Sequence, residues 1–236
     1  LLRCAFLISL AYMLGYIGLS LYQDGDFNKI DWRMGIYFGI NFVLLMFSYV
    51  LIYMMEKAFG YVSPITLVEL SNINNPLLKK LSETCAGTFQ HSLQVSILAS
   101  AASAKIGADT QLVRTGALYH DIGKMKNPPF FTENQMKGIN PHRDLPFEQS
   151  AQIIISHVTE GIKMAEKAGL PEAIIDFIRT HHGAGKAKYF YNSYCNAHPG
   201  EPVDESLFTY PGPNPFTRET AILMMADSVE AASRSL

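Results

Sequence analysis

The sequence predicts an all-α protein in which a helical domain follows two transmembrane helices. Two long apolar runs without charge lie near the N-terminus. Helix-starting and helix-ending residues divide the remainder into segments of helical length, and none of it alternates apolar and polar residues as a half-buried strand would. The 236 residues are 48% hydrophobic and 17% charged, a composition that suits one ordinary domain joined to an apolar segment.

Charge and cysteine content narrow the function classes. The net charge is −2, so there is no basic excess to favour a nucleic-acid polymer as partner. Cys4, Cys85 and Cys195 are odd in number and far apart, in a chain too long to need a disulfide scaffold. We therefore expect reduced thiols, a cytosolic compartment and no chemical role for these cysteines.

Residues 1–57 are predicted to form a membrane hairpin. Residues 4–22 and 34–55 contain no charged residue, and each is about as long as the ~20 residues that a helix needs to cross a bilayer. The intervening "QDGDFNKIDWR" is polar, with Asp-Gly turn chemistry and a Trp suited to the membrane interface. The alternative is a pair of buried helices in a soluble core.

The charges that flank the two spans do not orient them. Arg3 and Lys57 on one side are matched by Lys29 and Arg33 on the other, so the positive-inside rule is indecisive. The chain starts without a methionine and stops within a helical pattern. We therefore expect it to be part of a longer protein, with further membrane helices before it.

Residues 58–75 are predicted as a linker and residues 76–236 as a helical domain. Asn75-Pro76 starts the first helix, Gly107 and Gly169 end helices, and Asp109 caps one. The predicted helices are residues 77–106, with a break near Gly87, then 109–120, 145–168, 171–183 and one that begins near Thr217.

Metal-capable side chains recur on these apolar helices, where an unpaired polar group would be costly. Any one of them alone is more simply a hydrogen-bonded core residue. Together they supply five imidazoles and two carboxylates, enough for two ions with positions left for water and substrate. The set is His91, His120, Asp121, His157, His181, His182 and Asp227.

The sequence around these residues resembles the HD-domain metallophosphohydrolases, through "HDIGK" and "HHG". It is similar in more detail to the seven-transmembrane HD family, the PgpH-type cyclic-di-AMP phosphodiesterases. The matching stretches are "GTFQHS", "ALYHDIGK", "IIISHVTEG", "IIDFIRTHHG", "KYFY", "YPGPNP" and "RETAILMMADSVEAA". They cover the chain from about residue 60 to its end, and the two apolar helices fit the last spans of that family's membrane region.

The resemblance implies an HD-domain helical bundle with two metal ions. One ion would be held by His91, His120, Asp121 and Asp227, the other by His157, His181 and His182, with Asp121 as the bridge. Iron is the first expectation and manganese the second; a ligand set rich in imidazole independently disfavours magnesium and calcium. Two such ions lower the pKa of a bridging water for attack on phosphorus.

Lys124 is expected to act in catalysis and to contact the substrate. It would offset charge that develops on the phosphoryl oxygens, with Gly123 letting the chain turn so that the ammonium points at the substrate. The alternative is a solvated surface lysine. By resemblance, the substrate is cyclic-di-AMP, opened to linear pApA, and the domain faces the cytosol of a bacterial cell with the helices in its membrane.

Residues 184–216 are predicted to be the least regular part of the domain. The segment combines lysines, aromatics and prolines, which suits a loop that covers a site and contacts a nucleotide; Lys188 and Tyr189 are the expected contacts. An equally weighted alternative is a surface loop in which the segment's own aromatic side chains pack together. Cys195 and His198 form only a weak metal pattern, and His142 is expected to be exposed.

Two other functions stay open. An HD-GYP cyclic-di-GMP phosphodiesterase would share "HDIGK" and the paired histidines, but it expects a Gly-Tyr-Pro signature where this chain has "HHGAGKAKYFY". A catalytically silent receptor that binds the nucleotide would be favoured by a missing ligand, and no ligand position is missing. Membrane lipid and a second copy of the chain are further partners to consider.

Overall fold

The computed structural model describes residues 2–135 and 139–234, and these confirm the all-α prediction. Within the described residues there is no strand, only one isolated bridge between Lys186 and Thr209. The chain divides into two compact units, residues 1–61 and 62–236. The α-helices of the described ranges are α1 (Leu2–Asp24), α2 (Met34–Phe59), α3 (Pro64–Leu70), α4 (Pro76–Thr84), α5 (Ala86–Ile106), α6 (Thr110–Tyr119), α7 (Phe147–Lys167), α8 (Glu172–Thr180), α9 (Lys188–Ala197) and α10 (Arg218–Ser233).

The first unit consists of α1, α2 and the short connection between them. The two helices contact each other through the rings of Tyr16 and Phe38, 5.9 Å apart, and the Tyr16 hydroxyl donates to the Asp31 carbonyl at 3.4 Å. Both helices are long and apolar enough to cross a membrane. Their described side chains are largely exposed, so they do not form a soluble core.

Residues 58–75 are predicted to be a linker, but in the structure they contain α3. Leu67 of this helix is buried, and the Tyr119 hydroxyl of α6 donates to the Leu70 carbonyl at 2.8 Å. The apolar side of α3 therefore belongs to the core of the second unit, which starts earlier than the predicted residue 76.

The core of the second unit is built around α5 and α6. Asp109 caps α6 by accepting from the Leu112 amide at 2.9 Å, and Gly107 ends α5 with a φ of 66°. The helix predicted over residues 77–106 is two helices, α4 and α5, separated at Cys85. The buried apolar residues fall in three clusters, which include Leu78, Leu81, Leu118 and Ile178 in the first, Val95, Val113, Phe177 and Leu223 in the second, and Ala151, Val158 and Phe208 in the third.

The segment from residue 184 to 216 is more regular than predicted. It contains α9 and a 3₁₀ turn at Glu205–Phe208, and Phe208 and Tyr210 are buried against α7 beside Ile155. These two aromatic side chains therefore pack into the domain, and this packing holds Tyr210 next to the residues described below.

Candidate metal centre

Five helices deliver the metal-capable residues to one place. His91 comes from α5, and His120 and Asp121 follow directly after α6; the others come from α7, the end of α8 and α10. They form two groups, and within each group one possible ligand atom per residue lies within 4.8 Å of the others. The groups are His91, His120 and Asp227, and His157, His181 and His182.

Asp121 lies between the two groups with one carboxylate oxygen toward each. Its Oδ2 is 3.5 Å from His91 Nε2 and 3.3 Å from His120 Nε2. Its Oδ1 is 3.4 Å from His157 Nε2 and 3.6 Å from His181 Nε2. This is the arrangement that a carboxylate needs to bridge two cations.

Three of the histidines are oriented by the helix turn that carries them. The Nδ1 atoms of His120, His157 and His181 lie 2.7, 2.5 and 2.8 Å from the carbonyl oxygens three residues earlier in the chain. A carbonyl can only accept, so each Nδ1 carries a proton, and each ring presents a lone pair on Nε2 when it is neutral. Those Nε2 atoms face Asp121, as metal ligands with a fixed tautomer would.

Two buried atoms in this cluster have no hydrogen-bond partner among the described residues. They are Nε2 of His120 and Oδ1 of Asp121, and both face the space between the ligands. Because a buried polar atom without a partner is costly, these atoms fit a bound cation. The imidazole-rich donor set suits a transition metal better than magnesium or calcium.

The ionisation of the cluster also suits cations. Burial lowers the pKa of His157 to about 3, and burial holds the pKa of His182 well below its usual range, so both rings are neutral at pH 7. Burial alone would raise the pKa of Asp121, but Lys124 and His120 hold it well below its usual range. The second group therefore offers neutral nitrogens beside a permanent negative charge.

Lys124 is held inside the site and is not a solvated surface lysine. Its Nζ lies 2.7 Å from Asp121 Oδ2 and 2.8 Å from Glu133 Oε1. It is also 5.1 Å from the centre of the Phe131 ring. The Glu133 carboxylate accepts from the Thr88 hydroxyl at 3.0 Å as well. Glu133 was not predicted from the sequence, because it lies in a short 3₁₀ turn outside the α-helices and the quoted motifs.

The structural reason for a glycine at position 123 differs from the expected one. Its φ is not positive, so no special turn is needed there. Instead, a Cβ at Gly123 would lie 1.8 Å from the His157 carbonyl oxygen and 2.5 Å from the Gly161 amide nitrogen. The absence of a side chain lets the segment after Asp121 lie directly against α7, which brings Asp121 to His157.

His91 is oriented by side chains of α10, not by its own helix. Its Nδ1 lies 2.7 Å from Glu230 Oε2, and Glu230 is buried. Arg234 Nη2 is 2.5 Å from the same Nδ1 and 2.6 Å from Glu230 Oε2. Glu230 and Arg234 were not predicted as site residues, because "SVEAASR" is typical of an ordinary polar helix end.

A cavity of about 360 Å³ opens beside the first group of ligands. Lys124 and Arg234 line it as cations, and Asp121, Glu133 and Asp227 line it as anions. Lys188 and Tyr189, the expected substrate contacts, are exposed at the start of α9 and are not among its lining residues. The ring centre of Tyr210 lies 4.3 Å from that of the His182 imidazole.

The remaining sequence candidates lie elsewhere. Cys195 and His198 belong to neither group of donors found in the described residues, and the His198 ring stacks on Tyr194. His142 is partly buried, contrary to the expectation, because its Nε2 bonds the Phe130 carbonyl at 2.9 Å.

A helical bundle that carries the ordered residues H, HD, H, HH and D around one shared aspartate defines the class of HD-domain hydrolases. The chain belongs to this family: residues 88–232 match the family model described as HD domain. Residues 1–63 match a second model, described as 7TM receptor with intracellular HD hydrolase.

Curated relatives and solved structures agree with this assignment. The chain is 40% identical over 232 residues to cyclic-di-AMP phosphodiesterase PgpH of Listeria monocytogenes, covering 98% of this chain and 32% of that protein. It is 45% identical over 181 residues to PgpH of Bacillus subtilis, covering 77% of this chain and 25% of that protein. The crystal structure of the L. monocytogenes PgpH HD domain in complex with cyclic-di-AMP is similar with a TM-score of 0.67 and 48% identity, covering 70% of this chain and 76% of that one. The chain thus spans about a third or less of the length of these curated relatives.

Proposed function

We propose that this chain is the catalytic part of a membrane-tethered phosphodiesterase that opens cyclic-di-AMP to linear pApA. The single observation that carries the proposal is Asp121, which directs one oxygen to each of two histidine-containing groups beside a cavity with two cations. The identities of 40% and 45% to proteins named cyclic-di-AMP phosphodiesterase support this choice of substrate.

Two divalent cations are the proposed cofactors, iron first and manganese second. His91, His120 and Asp227 would hold one ion and His157, His181 and His182 the other, with Asp121 shared. When bound, such a pair supplies Lewis-acid activation of water and neutralises phosphate charge. The two buried atoms without partners, on His120 and Asp121, support this assignment.

The chain's own residues have proposed roles around that pair. Asp121 and Glu133 hold the Lys124 ammonium at the cavity wall, where it would offset charge on the phosphoryl oxygens of the substrate. Lys188 and Tyr189 stay candidates only for contacts with a part of the nucleotide that extends beyond the cavity. An in-line attack on phosphorus would invert its configuration.

The proposed location is the bacterial cell membrane. The two apolar helices and the match of residues 1–63 to a seven-transmembrane model support a multi-pass protein in contact with lipid. The domain of residues 62–236 would face the cytoplasm, where cyclic dinucleotides are made. A second copy of the chain is a further proposed partner.

One assay tests the proposal and separates it from its rivals. The purified, detergent-solubilised chain is incubated with cyclic-di-AMP or cyclic-di-GMP, and the metal content of the same sample is measured. We expect pApA from cyclic-di-AMP, with two transition-metal ions per chain. Preference for cyclic-di-GMP would support the HD-GYP alternative. Binding of cyclic-di-AMP without hydrolysis by metal-loaded protein would support the silent receptor.

A further inference from the structure

The four histidines that face Asp121 are oriented in two different ways. His120, His157 and His181 each place Nδ1 against a carbonyl of their own helix turn. His91 places Nδ1 against the Glu230 carboxylate of α10, across 139 residues of sequence. The orientation of His91, a member of the first metal group, therefore depends on a long-range side-chain contact. The other three rings do not need such a contact.

The surroundings of His91 Nδ1 contain two competing partners. Glu230 Oε2 at 2.7 Å can only accept a hydrogen bond, whereas Arg234 Nη2 at 2.5 Å can only donate one. If Nδ1 carries the ring proton and donates a hydrogen bond to Glu230, Nε2 keeps a lone pair for a cation. If Nδ1 accepts from Arg234, Nε2 carries the proton and donates to Asp227, 3.0 Å away.

Burial makes the contact with Glu230 strong. Glu230 is 6% exposed, and its Oε1 has no hydrogen-bond partner among the described residues. Arg234 places its Nε 3.0 Å and its Nη2 2.6 Å from Glu230 Oε2. The guanidinium thus pairs with Glu230 itself, which leaves the Nδ1 proton of His91 to the same carboxylate.

We propose that Glu230 is a positioning residue that selects the metal-binding tautomer of His91, against the competing donor Arg234. A carboxylate behind a histidine ligand fixes its tautomer and ring orientation and raises its basicity. Glu230 would thereby set the cation affinity of the first group alone. The inference rests on the proposed metal centre, but it requires no particular substrate.

The test is a titration of the detergent-solubilised chain with Mn²⁺, in competition with a chelator and without nucleotide. Loss of such a partner usually weakens metal binding by about 10- to 100-fold. We expect Glu230→Ala to weaken one of the two Mn²⁺ sites by that factor and to leave the other unchanged. Glu230→Gln, which keeps an acceptor oxygen, should recover most of the affinity.

Two control variants accompany the titration. Arg234→Ala should keep both ions, because the acceptor for the Nδ1 proton remains. Glu219→Ala removes another α10 carboxylate, one that accepts from the Asp109 amide and lies outside both donor groups, and should also keep both ions. Wild-type affinity at both sites in Glu230→Ala would refute the inference, and so would an equal loss at both sites.

The tautomer itself is observable by ¹⁵N NMR of histidine-labelled protein. In wild type we expect the His91 ring proton on Nδ1, and in Glu230→Ala on Nε2, with Arg234 as the new partner of Nδ1. An Nε2 proton on His91 in metal-free wild type would overturn the inference. Because neither measurement involves cyclic-di-AMP, a wrong substrate assignment would leave both results unchanged.

Discussion

Asp121 connects the two donor groups by its two oxygens, at 3.3 Å from His120 Nε2 and 3.4 Å from His157 Nε2. Asp121→Ala should therefore lose both ions together, since each group loses its shared charge. His157→Ala, which removes a ligand of one group only, should chiefly empty that position. Elemental analysis of the purified variants measures both. Full occupancy of two sites in Asp121→Ala would contradict the shared role of the carboxylate.

Lys124 is placed to interact with charge that grows during the reaction. Lys124→Ala should lower kcat on cyclic-di-AMP by about 10²- to 10³-fold, the effect of removing one such donor. Its metal content should be unchanged, because an ammonium is not a ligand. Lys126→Ala, a neighbouring exposed lysine, is the control. A raised KM with kcat intact would instead indicate ground-state binding of a phosphate.

Residue chemistry explains which parts of the site were predictable. Histidines and acids inside apolar helices stand out in a sequence, because burial of such groups is costly without a partner. Glu230 does not stand out, because acids are common on exposed helix faces and only the packing of α10 on α5 reveals its burial. Lys188 and Tyr189 stay predictions that rest on composition, and composition does not say which way α9 faces.

At the scale of elements, the close contact of Gly123 with α7 brings Asp121 to His157. Gly123→Ala should destabilise the fold by ~3 kcal/mol or more, the upper end of overpacking costs, because its Cβ would lie 1.8 Å from a backbone oxygen. Gly161→Ala should cost less, since its Cβ would meet the Ile178 side chain at 2.9 Å. Thermal unfolding of the two variants compares them, and the reverse ranking would contradict this account.

The early start of the second unit predicts a stability effect in α3. Leu67→Ala should destabilise the domain by ~2–5 kcal/mol, as for other buried leucines, because Leu67 is 3% exposed. Val68→Ala, at a 60% exposed neighbour, should change stability by less than ~0.5 kcal/mol. Urea unfolding measures both free energies. Equal, small effects would restore the linker predicted for residues 58–75.

Helix ends marked by caps were predictable, and the break between α4 and α5 was less so. Asp109 and Thr217 cap their helices through side-chain oxygens, as their types suggest. The break between the two helices lies at Cys85, two residues before Gly87. Gly87 is small for another reason, because the Glu133 carbonyl would lie 1.9 Å from its Cβ. Such a long-range contact leaves no local signal in the sequence.

At the scale of the whole molecule, the hairpin of α1 and α2 sets a topology. If both helices span the membrane and the domain is cytoplasmic, the loop between them faces the outside. A cysteine placed at the exposed Asn28, in a chain with its native cysteines replaced, should react with an impermeant reagent in intact cells. A cysteine at the exposed Lys126 should react only after lysis. The opposite pattern would overturn this orientation.

The contacts that orient the histidine rings predict which positions vary together in evolution. His120, His157 and His181 carry their orientation within one turn of their own helices, so each can be passed on while its neighbours change. His91 cannot, because its orientation depends on Glu230. Positions 91 and 230 should therefore vary together among descendants of this gene, and a lineage that changes one should change the other or lose an ion.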